Sequence, residues 1–174
     1  TSIGPSEMKT RVAIVIPCYN TDPVFLLEAV DAALSQDVPV EVVVVNDGST
    51  AKATLDCLNS LPVTVRVLHT TNGGPAAARN RGIGATEAQY ILPLDADDRI
   101  SPNFARLTMQ SLEADPNVLI AYSDFQMFGA SKVRRITPAS VTIEDLLLRN
   151  RFQASALFRR SDWERIDGYD ESLR

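Results

Sequence analysis

Short apolar runs alternate with stretches of helical periodicity along most of the chain. Val12-Ala13-Ile14-Val15-Ile16, closed by Pro17, is a continuous apolar run rich in β-branched residues and predicts a strand buried on both faces. Asp22-Pro23 follows as an N-cap and a first-turn proline. Behind it, Phe25, Leu26, Ala29, Val30, Ala33 and Leu34 recur at helical spacing. Residues 40–45 predict a second buried strand that runs into Asn46-Asp47-Gly48-Ser49-Thr50. Residues 51–60 predict a helix, and residues 63–68 a third strand. Gly73-Gly74-Pro75 opens the next helix, and residues 89–94 predict a fourth strand. Ser101-Pro102 predicts the start of a helix through about Glu113, and residues 118–123 a fifth strand.

Beyond Asp124 the pattern loosens. Residues 125–128 and 132–136 predict a pair of short strands around Gly129. Thr142 to Asp145 reads as a capped helix start, and residues 155–158 as a further strand. Trp163 and the phenylalanines read as core. Alternation of strand and helix predicts an α/β fold with a mostly parallel central sheet. No internal repeat and no second domain boundary is visible. Residues 1–10 are expected to be a flexible leader and residues 11–174 one domain.

Composition narrows the classes. With 174 residues the chain is long enough to bury a core, and its net charge of −5 disfavours general nucleic-acid binding, which needs a basic face. An acidic protein that takes a phosphorylated ligand must do so with local arginines, backbone N–H groups or a metal. Cys18 and Cys57 are far apart and have no metal-ligand spacing. Buried, reduced thiols are expected, in keeping with a cytoplasmic setting. No apolar run approaches about 18 residues, so no transmembrane segment is predicted within these residues.

Chemistry collects where strands end. The fourth predicted strand ends in Asp95-Ala96-Asp97-Asp98, three carboxylates within four positions. Such crowding raises each group's pKa unless positive charge joins it, and a hard divalent cation is the simplest partner. The first strand ends in Pro17-Cys18-Tyr19-Asn20 and the second in Asn46-Asp47-Gly48-Ser49. In a parallel sheet these ends share one edge, where α/β proteins bind ligands. Tyr19 with Asp47 suits a nucleobase, through a stacking face and a carboxylate for a ring N–H. For each residue alone a bland role competes: a half-buried tyrosine, or the tight turn that Asp-Gly favours. Gly73 and Gly74, before a helix, can offer N–H groups to an anion. Gly82 and Gly84 fall too late for a dinucleotide fingerprint, and no P-loop lysine is present. Arg79, one turn into that helix, suits a phosphate or ribose, with a surface ion pair as the equal alternative. His69, the single histidine, reads as structural.

With these residues in view, the chain resembles family 2 glycosyltransferases of the GT-A fold, a three-layer α/β/α architecture. The resemblance rests on Val15 to Asn20, Val44 to Thr50, Asn72 to Gly82 and Leu94 to Asp98, and extends to Ser155 to Arg160 and Gly168 to Glu171. It implies a donor site for a nucleotide-diphosphate sugar, with UDP or dTDP as the expected carrier and a guanosine diphosphate as the alternative. By this resemblance Pro17 and Tyr19 line the base pocket and Asp47 contacts the base. Arg79 steadies the nucleotide, Asp95 faces the ribose or sugar, and Asn20, Gly73 and Ala96 complete the set that binds the nucleotide sugar. Asp97 would ligate Mn²⁺ or Mg²⁺, with Asp98 supporting. The resemblance also implies inverting transfer to a glycan or lipid-linked acceptor at the cytoplasmic side of a membrane, in polysaccharide assembly. The family's general base is expected beyond Arg174, with the acceptor-side segment, so no catalytic base is assigned. Two alternatives remain: a nucleotidyltransferase, disfavoured by Pro17-Cys18-Tyr19-Asn20 where an Arg/Lys-bearing glycine loop is needed, and a non-catalytic nucleotide-binding domain.

Overall fold

The computed structural model describes residues 10–129, 132–136 and 154–172. In chain order the elements are β1 (Val12–Cys18), α1 (Pro23–Leu34), β2 (Val40–Asp47), α2 (Lys52–Ser60), β3 (Val65–Thr70) and α3 (Gly74–Gly84). They continue with β4 (Tyr90–Pro93), α4 (Phe104–Ala114), β5 (Ile120–Ala121), β6 (Phe125–Gln126), β7 (Arg134–Arg135), β8 (Leu157–Arg159) and α5 (Arg160–Arg165). Six strands form one sheet in the order β3-β2-β1-β4-β8-β5. β1 to β4 are parallel, and β8 alone runs against its two neighbours. β6 and β7 pair antiparallel as a separate ribbon, as their pattern predicts.

The period-two alternation of the strands divides the core into two layers. Val12, Ile14, Ile16, Val42, Val44 and Leu92 face one way, beneath α1, α2 and α4. Ala13, Val15, Val43, Val45 and Ile91 face the other way, toward α3 and α5. Both faces of the sheet are covered, which is why residues 12–16 of β1 and 42–45 of β2 read as unbroken apolar runs.

Several boundaries differ from the sequence reading. β1 does not stop at Pro17 but continues to Cys18, paired in register with Asn46 on β2. Asp22 caps α1 as predicted, its carboxylate accepting from Val24 N at 2.8 Å. α4, however, begins at Phe104 rather than at Ser101-Pro102. Gln36, at the end of α1, accounts for the shift: it donates to Ser101 O and accepts from Ala105 N, both at 2.9 Å. A cap from the segment just past α1 replaces the local one. β5 shrinks to Ile120–Ala121, because its partner β8 is only three residues long. The aromatic core is also smaller than predicted. Phe104 is buried, but Phe25 and Phe128 are each 43% exposed, and Trp163 packs at the core's margin. The helix predicted from Thr142 and the leader before Thr10 lie outside the described residues.

Gly82 sets how closely α3 approaches the sheet. A Cβ there would lie 2.3 Å from Val15 Cγ1 and 3.0 Å from Val45 Cγ2. Only a glycine lets this helix settle low enough to bring Arg79 and Arg81 beside the ends of β2 and β4.

Candidate functional site

From β1 the chain steps outward to β2 and β3, then returns to lay β4 on the other side of β1. The crevice at such a reversal is where open α/β sheets take ligands. A cavity of about 860 Å³ opens there. Its walls include Pro17 and Tyr19 from β1 and its loop, Asp47 from β2, and Gly73, Gly74 and Arg79 from α3 and its approach. Asp95, Ala96 and Asp97 follow β4 and complete it. Thus eight of the nine predicted site residues share one cavity. Tyr19 is 54% exposed and presents its ring to the opening.

Asn20 is the exception, and its local structure explains why. It adopts a left-handed backbone with φ 50°, and its side-chain oxygen accepts from Thr50 N and Ala51 N, both at 2.8 Å. Its own N–H donates to Ser49 Oγ at 2.9 Å. Asn20 therefore ties the β1 loop to the β2 loop and caps the approach to α2.

Asp47 is almost wholly buried. Its two oxygens accept from Gly73 N at 2.9 Å and Gly74 N at 2.8 Å, and Arg81 Nη1 lies 3.4 Å away. The N–H groups that the sequence offers to an external anion thus already face an internal one. The arrangement draws the α3 approach against the end of β2 and holds the cavity floor in shape. Gly48, with φ 73°, makes the turn after Asp47, and a Cβ there would lie 2.7 Å from Asn72 N. Asn46 holds the same turn by accepting from Ser49 N at 2.9 Å, and its amide faces His69 Nδ1 at 3.1 Å. His69 is accordingly structural.

Arg79 Nη2 donates to Asp95 Oδ1 at 2.6 Å, with the arginine side chain only 17% exposed. Two further carboxylates stand beside this pair. Asp97 is exposed on the cavity wall, and Asp98 turns back so that its N–H donates to Asp95 O at 3.0 Å. Among the described residues no cation pairs with either. Burial, then the charges of Asp95 and Asp97, push the Asp98 carboxyl up to about 6. Cys18, also on the wall, is pushed up by burial and is a neutral thiol. A second cavity of about 690 Å³ adjoins the first, sharing Phe25 and Asp97, and is walled further by Asp98, Arg99, Met127 and Phe128.

The sequence model described as glycosyl transferase family 2 matches residues 13–166. The chain belongs to glycosyl transferase family 2. Glycosyltransferase GlyG of Streptococcus pneumoniae serotype 4 is 30% identical over 163 residues, covering 90% of this chain and 52% of GlyG. S. aureus TarS residues 1–349 in complex with UDP superposes with a TM-score of 0.75 at 23% identity, over 94% of this chain and 51% of that one. The mannosyltransferase PcManGT from Pyrobaculum calidifontis, in complex with GDP-Man and Mn²⁺, gives a TM-score of 0.68 at 23% identity, over 96% of this chain and 49% of that one. The chain therefore has the GT-A fold and spans about half the length of these relatives.

A divalent cation fits this family 2 site on chemical grounds. One arginine meets three carboxylates, leaving negative charge that raises Asp98. A Mg²⁺-like ion asks for only one or two carboxylates and fills its shell with substrate phosphates and water, and the carboxylates in excess of Arg79 can supply them.

Two residues with parts in the site escaped the sequence reading. Arg81 donates to Thr70 Oγ1 at 3.2 Å and Thr71 O at 3.0 Å while facing Asp47, so each of Asp47 and Asp95 has its own arginine from α3. Asn80, between the two arginines, turns away from the cavity to residues 163–171. The available signal was spacing: residues 79, 80 and 81 point about 100° apart on a helix and must reach three different neighbours.

Proposed function

We propose that the chain binds a nucleotide-diphosphate sugar with Mn²⁺ or Mg²⁺ and is the donor half of an inverting glycosyltransferase. The observation that carries this reading is the convergence of three strand ends on one cavity at the sheet's reversal point. UDP and GDP-Man in the structural relatives support a nucleoside diphosphate as the ligand. Tyr19 stacks on the base, and Asp47, already aligned by Gly73 and Gly74, accepts the ring N–H on a free lone pair. Arg79 and Asp95 orient the ribose and sugar. Asp97 would hold the cation, which would supply positive charge for the diphosphate leaving group. Sugar transfer forms a bond from an acceptor hydroxyl to the anomeric carbon as the bond to the diphosphate breaks, with inversion. The neighbouring cavity, which shares Asp97, seats the acceptor, a glycan or lipid-linked sugar. The general base that takes the hydroxyl proton is not assigned to this chain.

Calorimetric titration with UDP and then GDP, each with and without Mn²⁺, tests the reading. Metal-dependent binding of one is expected, and Asp97→Ala is expected to abolish the metal dependence without unfolding the chain. Equal metal-dependent affinity in that variant would remove Asp97 from its role.

A further inference from the structure

Arg79 is held from two sides, and only one of them belongs to the cavity. On the cavity side it donates to Asp95 at 2.6 Å. On the other side its guanidinium lies 5.7 Å from the centroid of the Tyr169 ring. Its Nε is buried with no hydrogen-bond partner among the described residues. A buried donor left unpaired costs free energy, so the surrounding contacts must hold this side chain where it is.

The Tyr169 ring is itself fixed by Asn80. The Asn80 amide nitrogen donates to Tyr169 O and Glu171 Oε1, both at 2.9 Å. Its oxygen accepts from Tyr169 N at 2.9 Å and Trp163 Nε1 at 3.1 Å. Both donors and both lone pairs of one side chain are used, and Tyr169 is gripped by its N–H and its C=O. Gly168 makes the approach possible. With φ 81°, it sits where a Cβ would lie 2.8 Å from Asn80 Oδ1. Phe158 packs edge-on against the same ring, with centroids 6.5 Å apart.

We propose that Tyr169 is a positioning residue of the donor site, holding Arg79 against Asp95 in the arrangement that receives the nucleotide sugar. The inference rests on the donor reading above. It makes residues 163–171, far from the cavity wall in sequence, part of the site's affinity.

The test is a double-mutant cycle on UDP affinity with Mn²⁺, using Tyr169→Leu, Arg79→Gln and the pair, with Tyr169→Phe as the rescue. Tyr169→Leu is expected to weaken UDP about three- to tenfold, as loss of a partly desolvated cation–π contact does. Tyr169→Phe is expected to restore wild-type affinity, and Tyr169→Leu to cost nothing further once Arg79 is glutamine. A purely structural role would leave the two losses additive, which would overturn the proposal, as would a leucine variant that binds UDP like wild type. Should the leucine variant not fold, the Arg79 Nε–H resonance of the wild-type protein decides. A ring-shifted, slowly exchanging signal supports the grip, and a solvent-averaged one overturns it. Failure of wild type to bind UDP or GDP overturns the donor reading and this inference together; failure of the cycle alone overturns only this inference.

Discussion

Asp98 shows how one residue reports on its surroundings. Its native pKa, about 6, stands above the ordinary 3.8. The native state therefore holds this proton more tightly than the unfolded chain. The resulting stability is fully present below the unfolded value and is lost as pH rises through about 6. In metal-free buffer, Asp98→Asn is expected to change stability little near pH 4 and to stabilise at pH 7.5, by on the order of 1 kcal/mol once solvent screening of this part-exposed carboxyl is discounted. Urea unfolding at both pH values checks this, and the same gain at both would contradict it. A bound cation works in the opposite direction. Saturating Mg²⁺ with UDP is expected to lower the Asp98 pKa, as carboxyl-carbon chemical shifts would report. The acidic cluster itself was legible from four consecutive positions. The division of labour inside it was not, because Arg79 reaches Asp95 from a different helix.

At the scale of elements, α3 and β8 do the organising. α3 lies on the sheet through Gly82, and a methyl group there must displace Val15. Gly82→Ala is expected to destabilise by about 1–3 kcal/mol through overpacking, and to weaken nucleotide binding as Arg79 and Arg81 are lifted. Thermal unfolding with calorimetric titration measures both effects. β8 ends in Arg159 and α5 begins with Arg160, and these two arginines serve opposite faces of the sheet. Arg159 donates to Val118 O at 2.7 Å and to Leu112 O, beside the end of α4. Arg160 donates to Ile83 O at 2.9 Å and to Thr86 O, closing the end of α3. Each places a cation at a helix C-terminus, on Leu112 O in the last turn of α4 and on Ile83 O in the last turn of α3, and reaches one further carbonyl in the loop beyond. Arg160→Ala is expected to cost about 1–3 kcal/mol, read by urea unfolding, because two carbonyls lose a charged donor. Sequence periodicity placed these elements well where caps are local, as at Asp22, and misplaced them where caps are distant, as at Gln36 for α4.

At the scale of the whole molecule, the sheet order decides where function sits. The chain's reversal after β3 puts the ends of β2, β1 and β4 side by side and opens one cavity along them. A ligand bridging those ends stabilises the fold as a unit. UDP with Mn²⁺ at 100 times its dissociation constant is expected to add about 2.7 kcal/mol, a rise of roughly 5–10 °C in Tm for a domain of this size. Asp97→Ala is expected to keep the unliganded Tm and lose the rise. A shift of equal size without metal would argue against a metal-bridged diphosphate.

The amino-acid sequence by itself determined the layered α/β architecture and which segments carry polar chemistry. Both follow from short-range physics: period-two and period-3.6 burial, and loops that must begin where buried strands end. It also marked Asp95, Asp97, Asp47 and Tyr19, because carboxylates and an aromatic at strand ends stand out against apolar runs. Tertiary structure alone decided the partners. It paired Arg79 with Asp95 and Arg81 with Asp47, spent the Gly73 and Gly74 N–H groups on Asp47, gave Asn20 to the loops, and set Tyr169 behind Arg79 through Asn80. The reason is that a hydrogen bond or ion pair depends on where two chain segments meet in space. Asn80 and Tyr169 are 89 positions apart, and local pattern carries no trace of that meeting.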